Sequence, residues 1–310
     1  MISVCLLAYN SADYIKTAIE SVLAQTFSNW EMLVSDDASS DNTQEIVRPY
    51  LRDSRIQYIR HAQNLRQPGN WRYAIEHTNA PYLATLHADD AWEPCALQAF
   101  IDAFSRGNDV DLVWANWDYY DADLRQRQRS ASVVQKLDMQ GESACHWLAK
   151  NNHALPSASS FSRVAVVKVG MPDLKYGMLC DRDYFLRLAA VARRSIAIPS
   201  VITQYRQHQN SVTHHFWVSG ELQKEMAMFC DHASDSFDGL QNGKRVVITL
   251  RSQMGSELFC TGLGELLAGN YAMGAKWLRQ GIFFAHWRLL SFSCLNNIRR
   301  VVMIKVREFL

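Results

Sequence analysis

Short apolar segments alternate with amphipathic ones through the first 120 residues, and this alternation most constrains the fold of the chain. The apolar segments are short enough for buried strands, and the segments between them have helical spacing. The spacing is clearest at residues 15–23, for which Ser11 and Asp13 are candidate N-caps. The predicted strands cover residues 2–8, 30–34, 56–59, 82–86 and 112–116. This rhythm predicts an α/β fold with an open, mostly parallel central sheet and flanking helices.

Three of the predicted strands end in polar clusters. These are Tyr9-Asn10, Asp36-Asp37 and Asp89-Asp90. In doubly wound sheets, ligands bind beyond the carboxyl ends of the strands. The sequence therefore predicts an active site at the sheet edge where these clusters lie.

The second half of the chain divides into an irregular part and a helical part. A helix is predicted at 181–192, followed by strand signals at 196–198 and 201–205. Later helices are predicted near 217–235, 245–268, 271–285 and 289–308. We therefore expect a domain at 1–215 and a C-terminal helical region at 216–310.

Composition argues against several classes of protein and indicates a cellular compartment. The 32 Lys and Arg residues against 31 Asp and Glu give a net charge of +1, so no nucleic-acid partner is expected. The seven cysteines are odd in number and form no CxxC pair, which favours a reducing compartment over a disulfide framework or zinc site. Neither a signal peptide nor an apolar stretch of membrane-spanning length is recognisable. We therefore expect a cytoplasmic location.

Several nucleotide and catalytic motifs are absent. The sequence has no GxGxxG after a strand, no GxxxxGK[ST], no GxSxG and no HExxH. The sequence therefore lacks the usual signature of a dinucleotide oxidoreductase, a P-loop phosphotransferase, an α/β-hydrolase or a zincin. The sheet must hold its ligand without a glycine-rich loop.

Two pairs of adjacent carboxylates are the candidate ligand-binding groups instead. Asp89 and Asp90 at a strand end need a cation or donor groups beside them, and Mn²⁺ or Mg²⁺ with substrate phosphate oxygens would serve. The alternative is a solvated turn before a helix. Asp36-Asp37 suits hydrogen bonds from a base or ribose, and equally suits an Asx turn.

Three segments near the start of the sequence form recognisable motifs. Residues 3–10 are SVCLLAYN, residues 21–26 are SVLAQT and residues 36–41 are DDASSD. They resemble S-V-x-x-x-x-Y-N, S-[IV]-L-x-Q-[ST] and D-D-G-S-x-D, the patterns of the family 2 glycosyltransferases. Residues 86–90 (LHADD) occupy the place of the family's D-x-D-D metal motif. Residues 180–188 (CDRDYFLRL) and 205–211 (YRQHQNS) resemble its E-D-x-[DE]-[LF]-x-x-R-[LA] and Y-R-x-H-x-x-S segments.

The resemblance implies an inverting, metal-dependent enzyme of GT-A fold, with a role for each matching residue. Asp181 would be the catalytic base, and Asp90, with Asp89, would bind the metal. The nucleotide-binding residues would be Ala8, Tyr9, Asn10, Asp37, Arg66, Asn70 and Asp89. Arg206, His208 and His87 would lie near the diphosphate or acceptor. For Arg66 and Asn70, the alternative is a solvated side chain with no ligand.

The implied reaction moves a sugar from a nucleotide-diphosphate donor, a UDP-sugar, to a hydroxyl of a cell-surface polysaccharide or lipid-linked oligosaccharide. Its cofactor would be Mn²⁺ or Mg²⁺. The chain departs from the family pattern at two positions, where His87 and Cys180 replace acidic residues. This departure motivates an alternative function, a non-catalytic nucleotide-sugar-binding module or membrane-surface assembly partner.

The C-terminal segment at 279–310 is basic and aromatic. It contains six basic residues and one acidic residue. An interfacial helix on anionic lipid has this composition, and so does a bundle helix with a solvated basic face. The first interpretation predicts peripheral attachment to the inner face of the cytoplasmic membrane.

Overall fold

The computed structural model describes residues 1–125, 127–129, 134–151, 153–208, 211, 221–267, 269 and 271–284. The chain divides into two compact units. The first comprises residues 1–144 and 152–215, and the second comprises residues 145–151 and 216–310.

The first unit is built on one ten-stranded sheet with spatial order β3-β2-β1-β4-β9-β6-β10-β5, in which β7 pairs with β6 and β8 with β10. The strands are β1 (Ile2–Ala8), β2 (Trp30–Asp36), β3 (Ile56–Arg60), β4 (Tyr82–His87), β5 (Ala91–Trp92), β6 (Val110–Tyr120), β7 (Arg127–Arg129), β8 (Leu137–Gln140), β9 (Ser159–Ser162) and β10 (Arg194–Arg206). Strands β1 to β4 are mutually parallel where they pair, and β6 is parallel to β10. β9 is antiparallel to both of its neighbours. The predicted mixed α/β fold with a mostly parallel sheet is confirmed.

Helices flank this sheet, as predicted. They are α1 (Ile15–Leu23), α2 (Thr43–Val47), α3 (Arg66–Glu76), α4 (Ala96–Phe104), α6 (Arg163–Val169) and α7 (Cys180–Val191). Most of α5 (Ser143–Asn151) belongs to the second unit. α1 buries its apolar face in the main core cluster. The predicted caps of α1 are wrong, because the N-cap residue is Tyr14 and no side chain caps the helix. The Ser11 hydroxyl donates instead to the Tyr9 carbonyl.

The second unit contains α8 (Glu221–Phe237), α9 (Gly243–Leu267) and α10 (Tyr271–Phe284). These helices lie close to three of the predicted ones. The fourth, predicted at 289–308, falls outside the described residues. None of the described helices combines the length and apolarity needed to cross a bilayer.

Helices α9 and α10 approach so closely that glycine is required at their contact. A Cβ atom at Gly281 would lie 2.6 Å from the Phe259 nitrogen and 2.7 Å from the Gly255 oxygen. Both are backbone atoms, which cannot rotate away. We therefore expect Gly281→Ala to lower the free energy of unfolding by about 1–3 kcal/mol, the usual cost of overpacking.

Denaturant unfolding followed by helical circular dichroism measures this effect. Gly239→Ala is the matched control, since a Cβ there meets no atom within 4 Å. Equal stability of the two variants would contradict the close approach of α9 and α10.

Candidate active site

The turns after β2 and β4 are both fixed on the end of β1. The backbone N–H of Asp37 donates to the Ala8 carbonyl at 2.8 Å, and that of Ala88 donates to the Leu7 carbonyl at 2.9 Å. β2 and β4 flank β1 in the sheet. Adjacent strands lie about 4.8 Å apart, so the two turns begin within about 10 Å of each other. The structure thus brings the three predicted polar clusters to one edge.

The two carboxylates after β2 have different environments. Both Asp36 oxygens are occupied, by the Ser39 N–H at 2.9 Å and the Tyr58 hydroxyl at 2.6 Å. Asp37 accepts the Leu65 N–H on Oδ1 at 2.6 Å. Burial raises the pKa of Asp37, and the Leu65 N–H offsets part of that rise. Asp36 therefore builds the turn, while Asp37 retains an oxygen with acceptor capacity.

The cluster after β1 combines an exposed ring with a special backbone conformation. Tyr9 is 52% exposed. Asn10 has φ +46°, a left-handed conformation that asparagine tolerates better than most residues. Its side-chain oxygen accepts the Ser40 N–H at 2.8 Å. The cluster is therefore tied to the loop after β2, and the Tyr9 ring remains accessible.

Arg66 and Asn70 are placed differently from one another. Arg66 is exposed at the start of α3. Asn70 is buried, and its amide donates to the Ser35 and Ala8 carbonyls at 3.0 and 3.5 Å. Its side-chain oxygen accepts the Ser35 hydroxyl at 2.5 Å and lies 3.1 Å from His61 Nε2. Asn70 thus links α3 to the ends of β1 and β2, and its contact with a nucleotide stays a prediction.

The Asp89-Asp90 turn holds one buried and one partly exposed carboxylate. Asp90 is 1% exposed, and it accepts the Ser157 hydroxyl at 2.6 Å and the Arg206 N–H at 3.1 Å. Burial, followed by the charge of Asp89, raises the pKa of Asp90 well above its usual value. Burial also acts to raise the pKa of Asp89, but the hydrogen bond to His208 and nearby histidine charge lower it overall. Asp89 is therefore the more readily ionised of the two.

Arg206, the last residue of β10, and His208, two residues beyond it, both contact this turn. Arg206 Nε donates to the Asp89 carbonyl at 2.6 Å, and a terminal nitrogen donates to the Ala122 carbonyl. His208 Nε2 lies 3.2 Å from Asp89 Oδ2. The Tyr14 ring contacts both, with centroid distances of 4.7 Å to the Arg206 guanidinium carbon and 4.6 Å to the His208 ring. Segments far apart in sequence thus meet at Asp89.

A divalent cation suits the donor set after β4. One ligand atom from each of His87, Asp89 and Asp90 lies within 4.8 Å of the others. His87 Nε2 is buried and has no hydrogen-bond partner among the described residues. Carboxylate oxygens with an imidazole nitrogen are ligands that Mn²⁺ and similar ions accept. The residues present therefore fit the metal that the sequence motif implies.

Asp181 lies in the first turn of α7. The positive end of the helix dipole stabilises an ionised carboxylate there. Asp181 is partly exposed, which leaves it accessible to a substrate.

Aromatic packing fixes α7 relative to the metal-motif strand. The Trp71 ring lies 5.2 Å from Tyr184 and 5.8 Å from Phe185, both on α7. Trp71 Nε1 donates to the Thr85 hydroxyl on β4 at 2.9 Å. Arg187 of α7 also donates to the Val169 and Met171 carbonyls, both at 3.3 Å. Trp71 thus links the helix that carries Asp181 to β4, the strand that precedes Asp89 and Asp90.

Tyr14 and Ser157 contact side chains around the acidic turn after β4, but no sequence motif marks either residue as part of the site. Ser157 accepts the His87 N–H at 3.1 Å and donates to Asp90, and it lies 67 residues from that carboxylate in the chain. Tyr14 lies in the turn before α1 and has no motif of its own. Ser157 lies in a short 3₁₀ turn at Pro156–Ala158, and no local pattern there indicates its partner.

The hydrogen bond from Ser157 to Asp90 yields a testable prediction. We expect Ser157→Ala to reduce metal-dependent UDP binding about 10–100-fold, as is usual when a partner of a metal ligand is removed. Calorimetry with UDP, with and without Mn²⁺, measures this effect. Ser159→Ala is the control, because among the described residues its buried hydroxyl bonds only to the Leu155 carbonyl. Equal UDP affinity in both variants would show that Ser157 does not orient Asp90.

Comparison with known proteins identifies the family of this chain. The mixed α/β sheet with flanking helices is a GT-A fold. The chain belongs to glycosyl transferase family 2, whose family model matches residues 3–169, more than half of its length.

Two Escherichia coli relatives illustrate the similarity in sequence. The UDP-Glc:alpha-D-GlcNAc-diphosphoundecaprenol beta-1,3-glucosyltransferase WfgD is 25% identical over 216 residues, which are 69% of this chain and 79% of WfgD. The enzyme WfaP, described by the same activity, is 35% identical over 92 residues, which are 30% of this chain and 36% of WfaP.

Two solved structures share the fold. TarS 1–349 of S. aureus in complex with UDP-GlcNAc has a TM-score of 0.71 at 14% identity, covering 99% of this chain and 92% of that one. The mannosyltransferase PcManGT of Pyrobaculum calidifontis with GDP-Man and Mn²⁺ has a TM-score of 0.57 at 13% identity, covering 98% and 86%.

Proposed function

We propose that this glycosyltransferase moves a sugar from a UDP-sugar to a hydroxyl of a cell-surface polysaccharide or lipid-linked oligosaccharide, with inversion at the anomeric carbon. The observation that carries the proposal is the meeting of the Asp37 and Asp89-Asp90 turns on the end of β1. The names of the relatives WfgD and WfaP, and the UDP-GlcNAc complex of TarS, support the nucleotide.

The nucleoside would bind at the β1–β2 side of this edge. The accessible Tyr9 ring suits stacking on a base, and the remaining acceptor capacity of Asp37 suits a base N–H. Ala8 and Asn10 flank Tyr9 in the chain and would border the same nucleoside. Arg66, exposed at the start of α3, suits a ribose or phosphate contact.

The diphosphate would lie beside the Asp89-Asp90 turn. These carboxylates would hold Mn²⁺ or Mg²⁺, which when bound supplies Lewis-acid stabilisation of the charge on the leaving diphosphate. Arg206 is 5% exposed, and one of its terminal nitrogens has no hydrogen-bond partner among the described residues. That nitrogen suits a phosphate oxygen. His208, which follows β10, would orient Asp89.

Asp181 would act as the general base. Its ionised carboxylate removes the proton of the acceptor hydroxyl as that oxygen attacks the anomeric carbon. The new glycosidic bond forms on the face opposite the diphosphate, whose bond to the sugar breaks and takes the electron pair. A single displacement of this kind inverts the anomeric centre and requires no covalent enzyme intermediate.

A lipid-linked acceptor would place the enzyme at a membrane surface. The diphosphoundecaprenol in the names of WfgD and WfaP supports this class of acceptor. Most of the basic segment at 279–310 lies outside the described residues. We expect the full chain to float with anionic liposomes, and a chain truncated after residue 284 to stay in the soluble fraction. Absence of flotation for the full chain would contradict membrane attachment.

A thermal-shift screen tests the proposed function as a whole. Nucleotides and nucleotide sugars are added to the full chain with and without Mn²⁺. We expect the largest stabilisation from UDP and UDP-sugars with Mn²⁺, about 2–3 kcal/mol at a ligand concentration of about 100 times Kd. No shift with any nucleotide would contradict the proposal. Binding without sugar transfer or donor hydrolysis would favour the non-catalytic binding module.

A further inference from the structure

His87 is the position at which this chain departs from the acidic metal motif of its family. It is the last residue of β4, and its backbone N–H donates to the Ser157 hydroxyl at 3.1 Å. The same hydroxyl donates to Asp90. One serine therefore fixes both the backbone at His87 and the carboxylate of Asp90.

The imidazole of His87 has an unsatisfied nitrogen. Nε2 is buried and makes no hydrogen bond among the described residues. Carboxylate oxygens of Asp89 and Asp90 lie nearby, since one ligand atom from each of the three residues falls within 4.8 Å of the others. A buried imidazole nitrogen without a partner, on a residue that clusters with two carboxylates, is the arrangement that a cation satisfies.

His208 provides a contrast. Its Nε2 lies 3.2 Å from Asp89 Oδ2, so this nitrogen already has a partner. Its ring also packs against Tyr14. His208 Nδ1 is also buried without a partner among the described residues, but His208 is not in the cluster of ligand atoms formed by His87, Asp89 and Asp90. His208 therefore orients Asp89, whereas His87 belongs to that cluster.

We propose that the imidazole of His87 is a direct ligand of the divalent cation, together with Asp89 and Asp90. This inference rests on the proposed function, because the cation is the one that accompanies the nucleotide diphosphate. An imidazole nitrogen binds Mn²⁺ and Co²⁺ more strongly than it binds Mg²⁺, which prefers oxygen ligands. The mixed donor set therefore gives this chain a preference for transition-metal ions over Mg²⁺.

Pulsed electron paramagnetic resonance of the full chain with Mn²⁺ and UDP tests this proposal without an activity assay. A coordinated imidazole gives a ¹⁴N modulation of the Mn²⁺ echo, and labelling the histidines with ¹⁵N separates this signal from the nitrogens of UDP. We expect a histidine signal in the wild type, its loss in His87→Asp and its persistence in His208→Asn. His77→Asp, at the exposed C-cap residue of α3, is the control for the charge change.

Calorimetry gives the second readout. We expect His87→Asp, which restores an oxygen ligand, to lower the ratio of Mn²⁺ to Mg²⁺ affinity about tenfold or more, since even indirect partners of a metal ligand change affinity about 10–100-fold. Circular dichroism confirms that each variant is folded.

The outcomes separate this inference from the proposed function. Mn²⁺-dependent UDP binding without a histidine signal, or a signal that survives in His87→Asp and disappears in His208→Asn, would overturn the role of His87 and leave the proposed function intact. Equal losses of UDP affinity in His87→Ala with and without metal would also overturn it, because His87 would then contact phosphate directly. Failure of the wild type to bind UDP with any metal would contradict both.

Discussion

Asp181→Asn is expected to lower kcat by about 10²–10⁴-fold and to leave UDP binding unchanged, the usual loss for a general base. The amide keeps the shape of the carboxylate but cannot take the acceptor proton. Asp181 lies in the first turn of α7, remote in sequence from the predicted nucleotide and metal residues. Release of UDP from UDP-glucose or UDP-GlcNAc with Mn²⁺ measures turnover, and calorimetry measures UDP affinity.

Asp173→Asn is the matched control for this variant. Asp173 also accepts a local backbone N–H, from Lys175 at 3.0 Å, but it lies before α7. We expect its turnover to equal that of the wild type. Loss of UDP binding in Asp181→Asn, or unchanged turnover, would show that Asp181 is not the base.

Asp90→Ala is expected to remove the Mn²⁺ dependence of UDP binding. The change deletes a proposed metal ligand and leaves the Ser157 hydroxyl and the Arg206 N–H without their acceptor. Unpaired buried donors cost about 1–3 kcal/mol, so a lower melting temperature is expected as well. Calorimetry with UDP, with and without Mn²⁺, measures the binding effect.

Asp90→Asn separates the loss of the ligand from the loss of stability. Asparagine keeps the size of the side chain and one acceptor oxygen, so this variant should fold better than Asp90→Ala. We expect it to bind UDP with little dependence on Mn²⁺. Full Mn²⁺ dependence in a folded Asp90→Asn would remove Asp90 from the metal site.

The sequence was sufficient where apolar periodicity decides the structure. β1 is buried at every position, and the predicted segment 2–8 coincides with it. α1 shows its helical spacing because one face alone meets the core. The candidate carboxylates at the ends of β2 and β4 followed from these strands, because parallel strands end at one edge.

Strand β9 could not be predicted from apolar periodicity. Its sequence is Ser-Ser-Phe-Ser, yet every residue is buried between β4 and β6. Side-chain hydrogen bonds compensate, from Ser160 to the Leu83 carbonyl and from Ser162 to Asp111, both at 2.7 Å. Polar residues can fill a central strand when tertiary partners exist, and those partners are distant in sequence.

Strand β10 shows a second limit of sequence analysis. Two short strands were predicted at 196–198 and 201–205, but one strand runs from Arg194 to Arg206 with irregular register around its middle. The Asn116 amide donates to the Pro199 carbonyl at 2.8 Å at this point. A side chain from the neighbouring strand thus supports the irregular backbone, and no local pattern reveals such a contact.

A crystal structure of the full chain with UDP and Mn²⁺, with the metal located by its anomalous scattering, tests the central claim most directly. We predict an anomalous peak in contact with the carboxylates of Asp89 and Asp90, with the uracil beside Tyr9 and Asp37. A metal or nucleotide bound elsewhere on the chain would contradict the account.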